Sequence, residues 1–271
     1  MSHIHIPDGI LPLWLVAAGW AITLGLLFLS ARRLSRSDAD AARKIPMLGV
    51  MAAVMLVGMS TEFVPIAYHV NLTVLAGIIV GPAMGFMAAF IVDLILALFG
   101  HGGITVVGLN TLIIAAECAL GYYIFHGLYR ALKTRIKSVA ALAGVATLVT
   151  LFASTMMLIG VVSLSNVDPG KARDTGALNP VTFSFKNPFG EGLLSNRVIT
   201  PEKEAAGNFY LHDSGINLGH FAAAVLLLGS IGWLLEAMIT AVIVQFIYRV
   251  RRDLIVGTEA KGRKTDIGNV V

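Results

Sequence analysis

The side chains best suited to chemistry are histidines near the start of the chain, which begins Met1-Ser2-His3-Ile4-His5. An α-amine, a deprotonated amide and an imidazole can supply three nitrogens in one plane. A distant histidine can complete the square that Ni²⁺ and Cu²⁺ favour, and imidazole also accepts Co²⁺. Removal of Met1 would leave Ser2 as the amine donor and His3 as the second residue of the chain. If Met1 is retained, His3 is the third residue. Both arrangements permit chelation. The alternative interpretation is an unstructured, inert leader.

Two later histidines are candidates to complete or support such a site. His69 lies in the Pro65–Asn71 connection between two apolar segments and is the candidate distant ligand. His101 is flanked by glycines, which allow close approach of the main chain, so we expect it to support the site. Asn110 is expected to help hold the surrounding loops, or to act as an interhelical hydrogen-bond anchor.

Isolated acids, Asp93, Glu117 and Glu236, interrupt otherwise apolar segments. Ionisable side chains are costly in hydrocarbon and normally face the bundle interior, so these acids are either hydrogen-bond anchors or steps of a proton path. The sequence contains no GxxxxGK[ST], HExxH, GxSxG or CxxC motif. We therefore predict no enzyme activity, no bound cofactor and no phosphate-cradling nucleotide site in this chain.

The elements that position these residues are those of a membrane protein. Of the 271 residues, 56% are hydrophobic and 13% charged, and the mean hydropathy is +0.80, whereas soluble domains carry about 25% charged residues. The single cysteine excludes a disulfide framework within the chain and multi-cysteine metal sites. The net charge of +4 comes from short basic clusters between apolar runs, a pattern typical of membrane proteins and not of nucleic-acid binding.

We predict an all-α polytopic membrane protein with about seven transmembrane helices. The first apolar stretch is interpreted as a retained helix, because it lacks the basic start and cleavage site of a signal peptide. Gly81-Pro82 and the Gly100–Gly103 turn are expected breaks, and one segment within 71–99 is too short to cross alone. The apolar segments are 11–31, 46–64, 71–81, 84–99, 105–128, 138–165 and 216–248.

Basic clusters set the predicted orientation. Most of the 20 lysines and arginines follow the first, fifth and seventh segments, which places the N-terminus outside and the C-terminus in the cytoplasm. The predicted divisions are an extracytoplasmic metal-binding N-terminus (1–10), helices 1–6 (11–165), an extracytoplasmic loop (166–215), helix 7 (216–250) and a basic cytoplasmic tail (251–271). The loop is either a solvated connector or a lid or docking element.

Small and sulfur-containing residues repeat at helical spacing in two places. Gly77, Gly81 and Gly85 form a GxxxGxxxG row, which predicts close helix packing. Three methionines, Met51, Met55 and Met59, recur every four residues. Thioethers suit soft ions such as Cu⁺, but packing is the preferred explanation of this stripe.

Several motifs in register resemble the cobalt/nickel substrate-binding proteins (the CbiM/NikM family) of energy-coupling factor transporters. These are the opening His5-Ile6-Pro7-Asp8-Gly9-Ile10-Leu11-Pro12, His69-Val70-Asn71-Leu72-Thr73, Gly81-Pro82, Leu98-Phe99-Gly100-His101-Gly102-Gly103-Ile104-Thr105, Gly108-Leu109-Asn110-Thr111, and Leu235-Glu236-Ala237 with Thr240-Ala241. The likeness is good over residues 4–128 and weaker over 216–250.

The resemblance implies a seven-helix substrate-binding subunit of a prokaryotic cell membrane. Its metal would be held outside by the N-terminal amine and amide, the adjacent histidine, and a second histidine that matches His69. Implied partners are a transmembrane coupling protein, two cytoplasmic ATPases and a small accessory membrane protein. Motif alignment favours His5 as the adjacent histidine, whereas chelate chemistry favours His3, and the 166–215 insertion is unusually long for the family.

Together these observations predict the metal-binding subunit of an ATP-driven Co²⁺ or Ni²⁺ uptake transporter. The ligands would be Ser2, His3 or His5, and His69, supported by His101 and Asn110. The sequence does not choose between the two metals. The alternatives are a carrier driven by an ion gradient through Asp93, Glu117 and Glu236, and a membrane scaffold that binds no ligand.

Overall fold

The computed structural model describes residues 11–35, 38–61, 69–99, 102–132, 135, 138–165 and 218–256. Within these ranges every regular element is a helix, so the predicted all-α class is confirmed. The helices are α1 (Leu13–Ser35), α2 (Asp38–Ser60), α3 (Thr73–Val80), α4 (Pro82–Leu98), α5 (Val107–Leu132), α6 (Val139–Ser165), α7 (Leu218–Val250) and α8 (Arg252–Val256). The predicted loop 166–215 lies outside the described residues, as does the tail beyond 256.

Each predicted apolar segment corresponds to one of the helices α1–α7. By length and composition, α1, α5, Val139–Val161 of α6 and Gly229–Val250 of α7 are candidate membrane spans, while Ile45–Ser60 and α4 are shorter apolar helices. The protein is therefore a multi-pass membrane protein. The 8 residues of α3 reach only about 12 Å, so α3 alone is too short to cross.

The predicted start of the second helix at residue 46 is wrong. The helix begins at Asp38, so Pro46 lies inside it. The prediction followed hydropathy, which marks the apolar part of a helix and misses a polar first part. Proline at this position removes one main-chain hydrogen bond but does not end the helix.

Glycine and proline divide α3 from α4 as expected. Gly81 has φ +81°, a conformation that glycine adopts without steric cost, and its Cβ position has only Tyr122 nearby, at 3.9 Å. Pro82 is the first residue of α4, where its fixed φ suits a helix start and its missing N–H costs nothing. Gly81 is thus required for the bend between α3 and α4 and not for close packing.

The central helix of the bundle is α5, which packs against α1, α3, α4 and α6, while α6 and α7 form the most extensive helix pair. Large apolar side chains point outward from α7 at helical spacing, as expected for a face toward lipid. They are Leu227, Ile231, Leu234, Met238, Val242 and Phe246. The opposite face, which includes Glu236 and Thr240, is buried.

The predicted packing role is confirmed for the methionine stripe and for Gly77 and Gly85, whereas Gly81 serves the bend. Met51, Met55 and Met59 are buried in the main apolar core. The Cβ positions of Gly77 and Gly85 both lie against Cys118 of α5, at main-chain and side-chain atoms respectively. Both glycines therefore allow close approach of α3 and α4 to α5.

The short helix α8 is bound to the end of α5. The Nε2 atom of His126 lies 3.0 Å from the carbonyl oxygen of Ile255. Arg252 donates to the Tyr129 hydroxyl at 3.4 Å, and its guanidinium lies over the Tyr248 ring. These contacts bring the last turns of α5 and α7 to the same end of the bundle.

Candidate metal centre

Two of the residues predicted to bind or support a metal, His69 and Asn110, are described by the structure. His69 precedes α3 and is partly buried, with its Nδ1 atom shielded from solvent. Asn110 lies in the first turn of α5 and is 1% exposed. The other predicted residues, Ser2, His3, His5 and His101, lie outside the described residues.

Among the described residues alone, no three His, Cys, Asp or Glu side chains converge in a metal-binding arrangement. What the structure does define is the support of the segment that carries His69. This segment runs from His69 to Thr73, and we call it the His69 turn.

The His69 turn is buried from Val70 onward and is internally hydrogen-bonded. Asn71 and Thr73 are both fully buried. The Thr73 main-chain N–H donates to Asn71 Oδ1 at 3.2 Å, an Asx-turn that provides a side-chain acceptor at the start of α3. The Asn71 amide is thereby oriented, with its oxygen toward Thr73 and its nitrogen toward α5.

Leu72, which lies between Asn71 and Thr73, has an unusual main-chain conformation. Its φ of 54° and ψ of 21° lie in the left-handed region, and it is the only non-glycine residue with positive φ in the described part of the chain. This conformation costs roughly 1–2 kcal/mol for an L-residue. Neighbouring interactions must therefore favour it.

Glu236 of α7 supplies such an interaction. Its Oε1 atom accepts the Leu72 main-chain N–H at 3.2 Å, and its Oε2 atom accepts a longer, weaker bond of 3.5 Å from the Asn71 main-chain N–H. Consecutive N–H groups that converge on one anionic group are characteristic of turns with a left-handed residue. Glu236 is itself fully buried.

Glu117 of α5 holds the same turn from another side. Its Oε2 atom accepts the Asn71 side-chain amide at 2.6 Å and the Thr73 hydroxyl at 2.6 Å. Its Oε1 atom accepts the Ser154 hydroxyl of α6 at 2.7 Å. These short bonds offset the cost of burying the carboxyl group, which is several kcal/mol for an ion without partners. Three helices, α5, α6 and α7, thus contribute to the support of the His69 turn.

The region around Asn110 is fixed by contacts between α1 and α5. The Trp20 indole N–H donates to the Thr105 carbonyl at 2.6 Å, and the Thr23 hydroxyl donates to the Gly108 carbonyl at 2.7 Å. A Cβ at Gly108 would lie 2.7 Å from the Trp20 main-chain nitrogen, so the two helices cross in close contact. Gly102, next to His101, has φ +99°.

Asp93 has a separate environment. It is 1% exposed on α4 and accepts the Thr111 hydroxyl of α5 at 3.0 Å. The expectation that Asp93, Glu117 and Glu236 face the bundle interior is confirmed by their burial.

Sequence reasoning did not find the contacts of Glu117 and Glu236 with the His69 turn, nor the contribution of Ser154. The available signal was helical spacing: Asn110 and Glu117 are separated by two helical turns and therefore share one face of α5. That spacing identifies the face but not the segment that packs on it.

Comparison with known proteins identifies the relationship. The family model CbiM, described as the cobalt uptake substrate-specific transmembrane region, matches residues 5–254. A Geobacter sulfurreducens cobalt transport protein, CbiM, is 32% identical over 133 residues, which are 46% of this chain and 38% of that protein. A Sorangium cellulosum cobalt transport protein, CbiM, is 30% identical over 162 residues, covering 57% of this chain and 71% of that protein.

A protein of Archaeoglobus fulgidus, provisionally named a fused nickel transport protein (NikMN), is 32% identical over 156 residues, covering 55% of this chain and 50% of that protein. The matches thus cover between 38% and 71% of these relatives' lengths.

Two solved structures that share the fold are described as a truncated transition metal transporter and as a transition metal transporter. The truncated one has a TM-score of 0.61 at 19% identity, covering 91% of this chain and 99% of that one. The other has a TM-score of 0.61 at 21% identity, covering 94% and 96%. With the family match spanning nearly the whole sequence, this chain belongs to the CbiM family.

Proposed function

We propose that this chain is the substrate-specific membrane subunit of a Co²⁺ or Ni²⁺ uptake transporter, and that it binds the ion on the extracytoplasmic side. The ligands are nitrogens from the start of the chain, at Ser2 with His3 or His5, together with His69. His101 and Asn110 support the loops around them. The observation that carries this proposal is the family match over residues 5–254, which includes His5 and His69.

The depth of the His69 turn supports an extracytoplasmic site. Glu117 and Glu236, which hold the turn, precede Tyr129 and Tyr248 by 12 residues each. On both helices the turn therefore lies about 18 Å from the end of the bundle at which the last turns of α5 and α7 lie. That end carries Arg130, Arg249 and further arginines, which favours the cytoplasm. With this end at the inner edge of a hydrocarbon layer of about 30 Å, the turn lies past the midplane, in the outer half.

Energy for transport is proposed to come from partner subunits. The sequence has no phosphate-binding loop, and the proposed partners are a transmembrane coupling protein, two cytoplasmic ATPases and a small accessory membrane protein. Residues 166–215 form the proposed extracytoplasmic loop, and residues 251–271 form the proposed cytoplasmic tail. ATP hydrolysis in the partners would reorient this subunit and release the ion inward.

The contacts of the buried acids favour this proposal over a carrier driven by an ion gradient. Such a carrier needs carboxyl groups that exchange protons along a path. Glu117 instead accepts hydrogen bonds from three neutral donors, and Glu236 accepts two main-chain N–H groups. Both carboxyl groups are therefore engaged in holding a turn.

Metal uptake by cells tests the proposal. Cells that lack their own Ni²⁺ and Co²⁺ importers receive the chain with its partner genes, and accumulation of each metal is measured. We expect uptake to require intact ATPases and His69, and to be lost when extra residues precede Met1 although the complex still assembles. Uptake that persists with inactive ATPases and follows an imposed pH gradient would support the gradient-driven carrier. An extension without effect would exclude the terminal amine as a ligand.

A further inference from the structure

The cluster of polar side chains around the His69 turn is unusual for a segment that is buried among membrane helices. Glu117, Glu236, Asn71 and Thr73 all have 0% exposed surface. Buried polar groups are tolerated when they are hydrogen-bonded to one another, and such networks then fix a single conformation of the groups they join. The segment that this network fixes is the one that begins with His69.

Two features indicate that the network acts on the shape of the turn. First, Leu72 is held in the left-handed conformation, which is unfavourable for leucine, while its N–H donates to Glu236. Second, the Asn71 side chain is oriented at both ends, by Glu117 on its nitrogen and by Thr73 on its oxygen. Removal of either carboxylate would remove hydrogen bonds that hold the residues two to three positions after His69.

We propose that Glu117 and Glu236 are positioning residues that hold His69 in the orientation required to bind the metal. This inference rests on the proposed function, because it assumes that His69 is a ligand. A ligand must be held within about 0.5 Å and 10–20° of its productive geometry for full affinity. The His69 main chain is set by the turn that follows it, so the two carboxyl groups act on the metal through that turn and not by contact with it.

The first experiment removes each carboxylate while keeping its size. Purified Glu117→Gln and Glu236→Gln proteins are titrated with Ni²⁺ by calorimetry. Loss of groups that orient a ligand typically lowers metal affinity by about 10- to 100-fold, and we expect a loss in that range. Asp93→Asn is the matched control, because Asp93 is similarly buried and accepts the Thr111 hydroxyl of α5. We expect its affinity to remain within about threefold of the wild type.

The visible absorption of bound Ni²⁺ separates positioning from general stability. A four-nitrogen square-planar complex absorbs differently from one that lacks the histidine ligand. We expect the spectra of Glu117→Gln and Glu236→Gln to shift toward that of His69→Ala, and the spectrum of Asp93→Asn to match the wild type. A change in unfolding midpoint alone would leave the spectrum unaltered.

A milder pair of variants covers the case in which the glutamine proteins do not fold. Thr73→Val removes the hydroxyl that donates to Glu117 while preserving shape. Thr147→Val removes an equally buried hydroxyl, which donates to the Ala143 carbonyl within α6. We expect Thr73→Val to weaken Ni²⁺ binding severalfold and Thr147→Val to leave it unchanged.

The outcomes separate this inference from the proposed function. If the wild type and His69→Ala bind Ni²⁺ equally, the proposed site is wrong and the inference falls with it. If His69→Ala loses affinity while Glu117→Gln, Glu236→Gln and Thr73→Val keep the affinity and spectrum of the wild type, the inference alone is overturned. Reduced affinity with a shifted spectrum, absent from both controls, supports it.

Discussion

Substitution of alanine for Gly77 would place a methyl group against the main chain of α5. The Cβ position of Gly77 lies 2.7 Å from the carbonyl carbon and 2.9 Å from the Cα atom of Cys118, and it is closest to the Cys118 carbonyl oxygen. These are main-chain atoms of a helix, so they cannot move aside as a flexible side chain could. Because carbon pairs prefer about 3.5–4.0 Å, α3 would have to withdraw from α5 by roughly 1 Å.

Overpacking of this kind costs about 1–3 kcal/mol, and we expect Gly77→Ala to fall in the upper half of that range because both surfaces are main chain. Gly127→Ala is the matched control on α5, because nothing lies within 4 Å of its Cβ position. The control is expected to be neutral or to gain up to about 1 kcal/mol from helix propensity. Gly77→Ala should therefore destabilise the protein, whereas the identical substitution at Gly127 should not.

Heating in detergent with a thiol-reactive fluorescent dye measures this difference. The dye reports exposure of Cys118, which is buried and is the only cysteine in the chain. We expect a lower unfolding midpoint for Gly77→Ala and an unchanged or higher one for Gly127→Ala. Equal midpoints for Gly77→Ala and the wild type would refute the close α3–α5 contact on which the packing argument rests.

Three further predictions follow from the contacts described above. Thr23→Val removes the buried hydrogen bond to the Gly108 carbonyl and should lower the free energy of unfolding by about 1 kcal/mol; an unchanged midpoint in the dye assay would contradict the role of that bond. His126→Phe removes the contact with the Ile255 carbonyl and should speed proteolysis after residue 250, whereas equal cleavage rates would show that α8 is held otherwise. Lowering the pH from 7.5 to 5.5 should weaken Ni²⁺ binding at least about tenfold, because an ordinary imidazole has a pKa of about 6.5 and binds metal only when unprotonated; equal calorimetric affinities at both pH values would argue against histidine ligands.

The helical framework could be predicted from the sequence because hydropathy and helix breakers act locally. Charge-free runs mark α1 and α6, a long apolar run interrupted only by Glu236 marks α7, and Gly81-Pro82 marks the break between α3 and α4. The prediction failed at α2, where hydropathy changes from polar to apolar within one helix. The first turns of α2 are polar, so hydropathy placed its start eight residues too late.

The support of the His69 turn could not be predicted, because it depends on how helices far apart in sequence are rotated toward one another. Glu236 and Leu72 are separated by 164 residues, and Glu117 and Ser154 by 37. Each acid could be recognised as costly in hydrocarbon and therefore inward-facing. Periodicity within one helix does not identify the partner of an inward-facing side chain.

Asn110 illustrates the same limit. Its burial agrees with a position inside the bundle, and the neighbouring Gly108 is in close contact with α1. Whether Asn110 supports the metal or only the helix packing depends on the position of His101, and His101 lies outside the described residues. Its role in the metal site therefore stays a prediction.

The central claim is that one metal ion binds between the start of the chain and His69. Native mass spectrometry of the purified protein, with and without Ni²⁺ or Co²⁺, tests it directly, because one spectrum reports both the first residue of the mature chain and the bound ion. We predict one ion per chain in the wild type and none in His69→Ala at the same metal concentration. Equal occupancy of both proteins would contradict the account.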